Sequence, residues 1–458
     1  MTGESVESGA DLELAVESIA AGGAGVARLP DGRAVFVHRT APGDRIRARL
    51  TTEKKRWARA RLIQLLEPGP FRREAPCPHY ERCGGCTLEH LEYHAQLQAK
   101  GRIVTDALTR IGGLEALPRL ELHPAPREIR YRNRVSFTLR RPGGERVVAG
   151  FHELDRPDRI LNVDGRCLLP EESVARAWDG LREAWGPGAR NLPAGRELRL
   201  TLRGTDQGEV ILAVEGGEGD GDPGALLDRV PELRAVWADG PDGFRLLAGE
   251  SQVEETWYGE PVSVRPGAFL QVNRDAAAHL HDLVLREVGV PRGRRIVDAY
   301  CGIGVYGRRL ARHGGVAVGI EADPQAVEAS RARPVEGFTL LEGRVENRLA
   351  QVLPADLLIL NPPRAGVAQE VTETLAGDEA GPARIVYVSC DPATLARDVE
   401  RLDQGYRATR LQVVDLFPQT AHVETVLTLD RVPDRVPGPV ADRAPEREGK
   451  GGYPEEAR

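Results

Sequence analysis

The feature that most constrains the fold is an alternation of apolar and helical segments that begins at Gln271. The apolar segments are RRIVDAY, VAVGIEA, DLLILNPP, RIVYVSC and ETVLTLD; VYGRRLARHGG, PQAVEASRAR and PATLARDVERL between them have helical periodicity. Apolar strands that alternate with helices predict a parallel sheet covered on both faces. An amphipathic helix, NRDAAAHLHDLVLREVG, comes first, with Asn273 or Asp275 as its cap. We therefore predict an α/β domain over residues 265–432.

The N-terminal region, residues 10–69, predicts a different fold. From Leu12 to Leu66 the sequence reads as short strands separated by the turn segments AAGGAG, LPDGR and APGD. Regularly spaced short strands with turn signals predict a small β-barrel, of the oligonucleotide-binding type. Residues 70–264 contain the strand candidates RVSFTLRR, VVAGFHE, ELRLTLRG and EVILAVEG, and we expect a mixed α/β domain there.

Both ends of the chain are polar. The N-terminus, MTGESVESGADLEL, lacks the basic start and apolar stretch of a signal peptide, and no run of apolar residues is long enough to cross a bilayer. We therefore expect a cytoplasmic protein without a membrane partner. Residues 433–458 are rich in Pro, Arg and Glu and predict a disordered tail.

The distribution of charge points to a polyanionic partner, although the net charge is −7. The segment from Asp44 to Glu74 contains ten Arg or Lys and four Asp or Glu, and the segment from Arg127 to Arg146 contains seven Arg and two Glu. A single charge run is often just a solvated face, but two separate basic segments in an acidic chain favour contacts with nucleic-acid phosphates. In the second segment, Arg132 and Arg134 alternate with apolar neighbours and are expected to face the nucleic acid.

A glycine loop joins the first strand of the α/β domain to its helix and predicts a nucleotide-like cofactor. Gly302 and Gly304 lie in this loop, where glycine allows a ligand to approach the backbone closely. Glu321 ends the next strand, 23 residues after Asp298, and an acid there can bind ribose hydroxyls. A P-loop is excluded because no Gly-Lys-Ser/Thr follows. NAD and S-adenosylmethionine (SAM) both remain possible at this point.

Three polar residues lie at strand ends of the same domain. Asn361 ends LLILN, Cys390 ends VYVSC, and Glu424 begins the last strand. Cys390 precedes Asp-Pro-Ala-Thr, a helix start, and a helix N-terminus lowers the pKa of a thiol. A thiolate and a carboxylate suit a reaction at carbon 5 of uracil: the thiolate adds to carbon 6, and a base later removes the carbon 5 proton.

Four of the six cysteines predict a metal site. Cys77, Cys83 and Cys86 follow a C-x5-C-x2-C spacing, and Cys167 comes 81 residues later. Disulfides are not expected in a cytosolic chain. Four thiolates can hold either a zinc ion or a [4Fe–4S] cluster, and the spacing alone does not decide between them. Cys301, beside the glycine loop, is expected to be structural.

The segments YVSCDPATLARD, HVETV, FLQVN, DAYCGIG and NPPRAG, in their order along the chain, resemble the RNA 5-methyluridine methyltransferase family. The layout is most similar to the 23S rRNA uracil-C5 methyltransferases with an iron–sulfur cluster and an N-terminal TRAM domain. The resemblance covers residues 12–430. It implies a Rossmann-like SAM domain, Cys390 as nucleophile and Glu424 as base, with SAM bound at Gln271, Tyr300 and Glu321 and at the Gly302 loop.

Asn361 departs from the family pattern, which has Asp at this position of the cofactor and substrate site. Asn keeps the shape of Asp and loses its charge. It also makes NPPR similar to the Asn-Pro-Pro motif of amino-group methyltransferases, the second candidate chemistry. A third hypothesis is an RNA-binding protein without catalysis on the same scaffold.

The resemblance also implies partners and a metal cofactor. It favours a [4Fe–4S] cluster held by Cys77, Cys83, Cys86 and Cys167, and an RNA substrate, with 23S rRNA preferred over tRNA because barrel and cysteines are both present. We expect the protein to act as a monomer.

Overall fold

The computed structural model describes residues 9, 11–268, 270–377 and 381–432. The chain divides into two compact units. The first contains Met1–Ala99, Pro124–His281 and Asp415–Ala421; the second contains Lys100–His123, Asp282–Val414 and His422–Arg458. The tail predicted to be disordered, residues 433–458, lies outside the described residues. None of the helices in the described ranges has both the length and the apolar character that a membrane span requires.

The N-terminal region forms a six-stranded sheet in the order β1-β5-β6-β4-β3-β2. Its sheet curls so that β1, at one edge, also approaches β3 near the other. Alternation along β5 buries Ile46 and Ala48 and turns Arg45, Arg47 and Arg49 outward. The half-barrel therefore confirms the predicted barrel-like domain. The strands are β1 (Asp11–Ala15), β2 (Ser18–Ile19), β3 (Gly25–Arg28), β4 (Ala34–Val37), β5 (Arg45–Glu53) and β6 (Trp57–Glu67).

The middle of the chain contains a second, mainly antiparallel sheet of seven strands in the order β10-β9-β8-β11-β12-β13-β14. In β11, Leu198, Leu200 and Leu202 point into a core that includes Trp178. The elements are α1 (Tyr93–Arg110), β7 (Leu120–His123), β8 (Arg134–Gly143), β9 (Arg146–His152), β10 (Ile160–Asn162), α2 (Glu172–Ala184), a 3₁₀ turn (Pro187–Ala189), β11 (Glu197–Gly204), β12 (Val210–Glu215), α3 (Pro223–Arg229), β13 (Leu233–Ala238), β14 (Arg245–Gly249), β15 (Val253–Trp257) and β16 (Glu260–Val264).

The third sheet has eight strands in the order β19-β18-β17-β20-β21-β23-β22-β7. Asn273, not Asp275, caps the helix before it, since its Oδ1 accepts the N–H of Ala276. The elements are α4 (Arg274–Val288), β17 (Arg295–Ala299), α5 (Val305–Arg312), β18 (Val316–Glu321), α6 (Pro324–Arg331), β19 (Phe338–Glu342), α7 (Val345–Val352), β20 (Leu357–Leu360), α8 (Gln369–Gly377), β21 (Arg384–Ser389), α9 (Pro392–Leu402), β22 (Tyr406–Val414) and β23 (Glu424–Arg431).

The eight-stranded sheet is mixed, whereas the sequence pattern predicted a parallel one. Strands β17 to β21 are parallel, but β23 runs antiparallel to both β21 and β22. The prediction failed there because β22 and β23 are joined by a loop without a crossover helix, and such a connection produces antiparallel neighbours. The reversal brings the start of β23 to the edge of the sheet where the parallel strands end.

Candidate active site and cysteine cavity

Three of the predicted site residues follow directly after neighbouring parallel strands. Tyr300 follows β17, Asn361 follows β20 and Cys390 follows β21. Ala299 pairs with Leu360, and Leu360 pairs with Tyr387, so these strands end at the same edge. Ligands of open α/β sheets bind at this carboxyl edge.

Cys390 and Glu424 are neighbours across two strands. In the antiparallel pair β21–β23, Ser389 lies opposite Thr425, so the next residues outward, Cys390 and Glu424, face one another. The Cys390 side chain is half-buried, and that of Glu424 is only 4% exposed. The electrostatic influence of Glu424 on the Cys390 thiol agrees with this proximity. The chain reversal thus brings together a thiol and a carboxyl that are 34 positions apart in the sequence.

The pKa of Cys390 is raised to about 11, which corrects the expectation of a lowered pKa. Burial is the largest cause, and the Glu424 and Asp391 carboxyls raise it further. The helix N-terminus does not counteract them because Asp391 already caps it: Asp391 Oδ1 accepts the N–H groups of Ala393 at 3.0 Å and Thr394 at 2.9 Å. The helix that was expected to favour a thiolate therefore carries a carboxylate of its own.

Burial also raises the pKa of Glu424, to about 8, so this carboxyl is mostly protonated at neutral pH in the ligand-free protein. The Arg364 guanidinium opposes the shift, and it lowers the pKa of Cys390 as well. One exposed cation therefore favours the ionised form of both groups.

Arg364, which acts on both Cys390 and Glu424, was not predicted from the sequence, although it belongs to the quoted NPPRAG segment. A buried carboxylate, Asp398 of α9, holds this loop: its Oδ2 accepts the N–H of Val367 at 2.9 Å and the O–H of Tyr387 at 2.7 Å. The adjacency of Arg364 to Asn361 at a strand end was the available signal. No sequence signal pointed to Asp398, because its hydrogen-bond partners come from separate segments of the chain.

The glycine loop has the geometry of a ligand cradle. Tyr300 adopts φ +59°, an unusual backbone conformation for a residue other than glycine, and such strain is concentrated at functional sites. A Cβ added at Gly302 would meet open space. Glu321 closes the loop: its Oε2 accepts the Gly302 N–H at 2.7 Å, and its Oε1 accepts the N–H groups of Ala322 and Asp323.

Asp298, within β17, fixes the helix that follows the glycine loop. Its Oδ2 accepts the N–H of Gly307 at 2.9 Å, whereas Oδ1 is buried and has no hydrogen-bond partner in the described part of the chain. Burial raises the pKa of Asp298 to about 7. The open face at Gly302, the Glu321 carboxylate and this orphaned oxygen make the loop suitable for a ligand with ribose hydroxyls and a positive charge.

The two remaining predicted cofactor residues are less informative. The Asn361 N–H donates to the carbonyl of Ala299 at 3.3 Å, which ties the end of β20 to β17. Gln271 belongs to the first unit, where its carbonyl accepts the Asn133 side-chain amide at 3.2 Å. The role of both side chains stays a prediction.

All four predicted cluster cysteines line one cavity of about 270 Å³, together with Tyr80, Gly85, Glu89, Phe151 and Leu169. The thiols of Cys77 and Cys167 are hydrogen-bond partners despite their separation in sequence. Among the described residues, no three or more His, Cys, Asp or Glu side chains are arranged to hold a single metal ion. Cys301 lies apart, buried beside the glycine loop.

Arg39, in the loop after β4, holds the segment that carries three of these cysteines. Its guanidinium donates to the carbonyls of Tyr80 and Cys83 at 2.6 Å and of Cys86 at 2.9 Å. It also lies 3.5 Å from the centre of the Tyr80 ring, a cation–π distance. Arg39 was not predicted from the sequence, where it looks like one more basic residue of the barrel.

The predicted basic face of the barrel is partly neutralised. Arg45, Arg47 and Arg49 of β5 form ion pairs with Glu67, Glu13 and Asp11. Arg59 and Arg61 of β6 lie opposite Thr52 and Arg49 in register, and Lys54, Lys55 and Arg56 lie at the turn of the hairpin. Any phosphate contact of the barrel is therefore expected at the turn and along β6 rather than along β5.

Comparison with known proteins identifies the family. A family model described as tRNA (uracil-5-)-methyltransferase matches residues 338–432, and one for the TRAM domain matches residues 6–63. An RNA methyltransferase of Gloeobacter violaceus is 37% identical over 94% of this chain and 100% of the relative. One from Halalkalibacterium halodurans is 32% identical over 92% of this chain and 96% of the relative.

A solved structure is similar along nearly the whole chain. It is the tRNA (uracil-54, C5)-methyltransferase of Pyrococcus abyssi in complex with S-adenosyl-L-homocysteine, with 27% identity, a TM-score of 0.70, and coverage of 91% of this chain and 100% of that one. These matches span the half-barrel, the sheet of the middle region and the α/β domain. The chain belongs to the SAM-dependent RNA (uracil-5-) methyltransferase family.

Proposed function

We propose that this protein methylates carbon 5 of a uridine in RNA, with Cys390 as nucleophile and Glu424 as general base. The observation that carries the proposal is the facing position of the two residues, next to the Ser389–Thr425 pair. The neighbouring ends of β17, β18 and β20 offer Tyr300, Glu321 and Asn361 for the cofactor. A nucleophile, a base and a cofactor cradle thus share one edge of the sheet.

The reaction requires both groups because carbon 5 of uracil is a weak nucleophile. The Cys390 thiolate adds to carbon 6, and the electron pair of the broken double bond moves to O4 as an enolate. Carbon 5 then accepts a methyl group, which bound SAM supplies with loss of its positive charge. The Glu424 carboxylate removes the remaining proton from carbon 5, the enolate forms again, and it expels the thiolate. One proton is released for each methyl group transferred.

The electrostatics of the site fit these roles. A general base works best when its pKa lies near the operating pH, and burial brings that of Glu424 to about 8. The thiol of Cys390 must lose its proton against burial, and Arg364 is the cation that favours this loss. We therefore assign Arg364 to stabilising the ionised forms of both groups.

We assign SAM binding to Gln271, Tyr300, the Gly302 loop, Glu321 and Asn361. The Glu321 carboxylate accepts three backbone N–H groups and keeps lone pairs for the ribose hydroxyls. At position 361 an amide replaces the carboxylate of the family, so this residue orients its partners by hydrogen bonds without a charge. The amide also supports the second candidate, methylation of an amino group, which would leave the facing Cys390 and Glu424 without a role.

The substrate that we favour is 23S rRNA, since the half-barrel occurs together with four cysteines that line one cavity. A tRNA substrate is the alternative. The target uridine must leave its stack to reach Cys390, at a cost of a few kcal/mol that is lower in a loop than in a helix.

The reaction and the RNA are tested together by incubating the anaerobically purified protein with labelled SAM and unmodified rRNA or tRNA transcripts. We expect 5-methyluridine in one RNA class when the nucleosides are analysed by mass spectrometry. Methyl groups on exocyclic amino groups would instead support the second candidate. SAM and RNA binding without any methylated nucleoside would support a binding-only protein.

We further propose that Cys77, Cys83, Cys86 and Cys167 hold a [4Fe–4S] cluster. The donor set consists of thiols alone, which is the usual ligation of such clusters. A zinc ion would need all four sulfurs about 2.3 Å from one centre, whereas the irons of a cluster each take a separate thiolate. The cluster would cross-link the loop from Cys77 to Cys86 with the distant Cys167 segment, and we assign it no step of the reaction.

Arg39→Ala is expected to speed loss of the cluster in air several-fold, because three carbonyls of the cysteine loop lose their shared donor. Iron and sulfide per protein, followed over time with the visible absorbance, measure this loss. Arg33→Ala is the matched control, since Arg33 is in the same half-barrel but pairs with Asp31 and Glu53. Equal stability of the cluster in both variants would refute the role of Arg39, and zinc or no metal in the wild type would refute the cluster.

A further inference from the structure

The seven-stranded sheet has a pocket on the face opposite to the one that packs on Trp178. It has a volume of about 300 Å³ and contains no residue of the proposed active site or of the cysteine cavity. In β11 the leucines face the core, and the alternate residues Thr201 and Arg203 face the pocket. Three arginines line it, together with other residues of this unit: Arg134, Arg203, Arg265, Thr201, Ile211, Ala213, Glu215, Phe244, Pro266 and Gly267.

Two of these arginines are placed against each other. Arg134 of β8 and Arg203 of β11 are direct partners in the antiparallel register. Like charges directly opposite on one face of a sheet destabilise it unless an anion lies between or beside them. Arg265, in the loop after β16, brings a third guanidinium from an exposed position.

Arg203 is the strongest sign of a ligand site in this pocket. Its side chain is 4% exposed, and its Nη2 lies 3.4 Å from Glu255 Oε2. Its Nε and Nη1 atoms are buried without a hydrogen-bond partner among the described residues. Unpaired buried donors on a charged group are costly, so native structures rarely keep them without a partner.

The remaining polar groups of the pocket do not balance these cations. Glu215 is the single acid of the lining against three guanidinium groups; it lies 3.7 Å from Arg199, outside the pocket, and also acts on the Arg134 guanidinium. The Thr201 hydroxyl shares a hydrogen bond of 2.8 Å with the Ser136 hydroxyl. Phe244 adds a half-buried aromatic ring to the wall. The lining therefore combines an excess of guanidinium groups with an aromatic surface.

We propose that this pocket binds a backbone phosphate of the substrate RNA, with Phe244 against the adjacent base or ribose. Arginine is the residue best suited to phosphate, because its planar fork donates two parallel hydrogen bonds. An aromatic ring beside a basic groove is the usual arrangement for unpaired nucleic acid. The inference rests on the proposed function only in taking RNA as the substrate. It adds a contact remote in sequence from both the barrel and Cys390.

Arg265→Gln and Arg134→Gln test the pocket while keeping the buried Arg203 itself. Each is expected to weaken binding of unmodified tRNA or rRNA transcripts roughly tenfold at low salt. Each should also reduce the slope of log affinity against log salt concentration by about one, because one phosphate contact is lost. Arg265→Lys should keep the salt slope and recover part of the affinity, since it keeps the charge but not the fork.

Arg229→Gln is the matched control. It removes one exposed positive charge from α3, which packs on the same sheet through β13 and β14. RNA affinity should stay at the wild-type value in this variant. An equal loss of RNA affinity in Arg229→Gln would show an effect of net charge alone and would overturn the proposal. Wild-type affinity and salt slope in both pocket variants would overturn it as well.

The bound anion could come from the RNA backbone or from free phosphate, and competition with inorganic phosphate distinguishes these two sources. A backbone site predicts that RNA displaces phosphate and that the pocket variants lose affinity for RNA. Variants that lose phosphate binding yet hold RNA as tightly as the wild type would reveal a small-anion site and overturn the proposal. Methylation is measured separately. If the pocket variants bind RNA more weakly but the wild type forms no 5-methyluridine, the proposed function is rejected and the proposal of a phosphate-binding pocket stands.

Discussion

Cys390→Ala is expected to lower the rate of 5-methyluridine formation by at least ~10⁴-fold, because the pyrimidine ring then has no nucleophile at carbon 6. The facing carboxyl of Glu424 is a poor replacement, because a carboxylate is a weaker nucleophile than a thiolate and, with a pKa of about 8, it is the minor form at neutral pH. The measurement is single-turnover methylation of the RNA identified as substrate, with nucleosides analysed by mass spectrometry.

A covalent trap distinguishes a lost nucleophile from a damaged fold. RNA that contains 5-fluorouridine has no removable proton at carbon 5, so the wild type should form an adduct that survives denaturation, and Cys390→Ala should form none. The variant should bind SAM with unchanged affinity, because the cofactor residues that we propose do not include Cys390. Full turnover by Cys390→Ala would exclude covalent catalysis through this thiol.

The sequence predicted the layers of the fold because hydrophobic periodicity is a local property. Segments such as RIVYVSC and PATLARDVERL became β21 and α9. The antiparallel direction of β23 was not predictable in this way, because strand direction depends on the connection between elements and not on the pattern within one. The eighth strand, β7, was missed for a similar reason: it pairs with β22, whose residues come 291 positions later in the chain.

Candidate site residues that follow apolar strands could be chosen from the sequence for the same local reason, whereas their electrostatics could not be predicted. The helix after Cys390 suggested a lowered thiol pKa, yet Asp391 caps that helix and Glu424 faces the thiol, so the pKa is raised. Burial and facing charges arise from tertiary packing. Arg364 and Arg39 were missed because their partners lie in other segments of the chain.

Glu424→Gln is expected to stop the reaction after methyl transfer. The amide has nearly the shape of the carboxyl but cannot accept the carbon 5 proton, so the thiolate cannot leave. Product release should fall ~10²- to 10⁴-fold, a typical contribution of a general base. Ordinary RNA without fluorine should then accumulate as a protein–RNA adduct on a denaturing gel. The Glu424 carboxylate raises the pKa of Cys390, and the amide does not, so the variant should still form the adduct.

The pH profile gives this prediction a second readout that a purely structural role would not change. The pKa of Glu424 is raised by burial, so the carboxylate that accepts the proton becomes the main form only as the pH rises through about 8. The wild-type rate of product release should rise across that range, and Glu424→Gln should lack the rise. Glu400→Gln, an exposed site on α9, is the matched control and should keep both rate and profile. Rapid product release without an adduct in Glu424→Gln would assign the proton to another base.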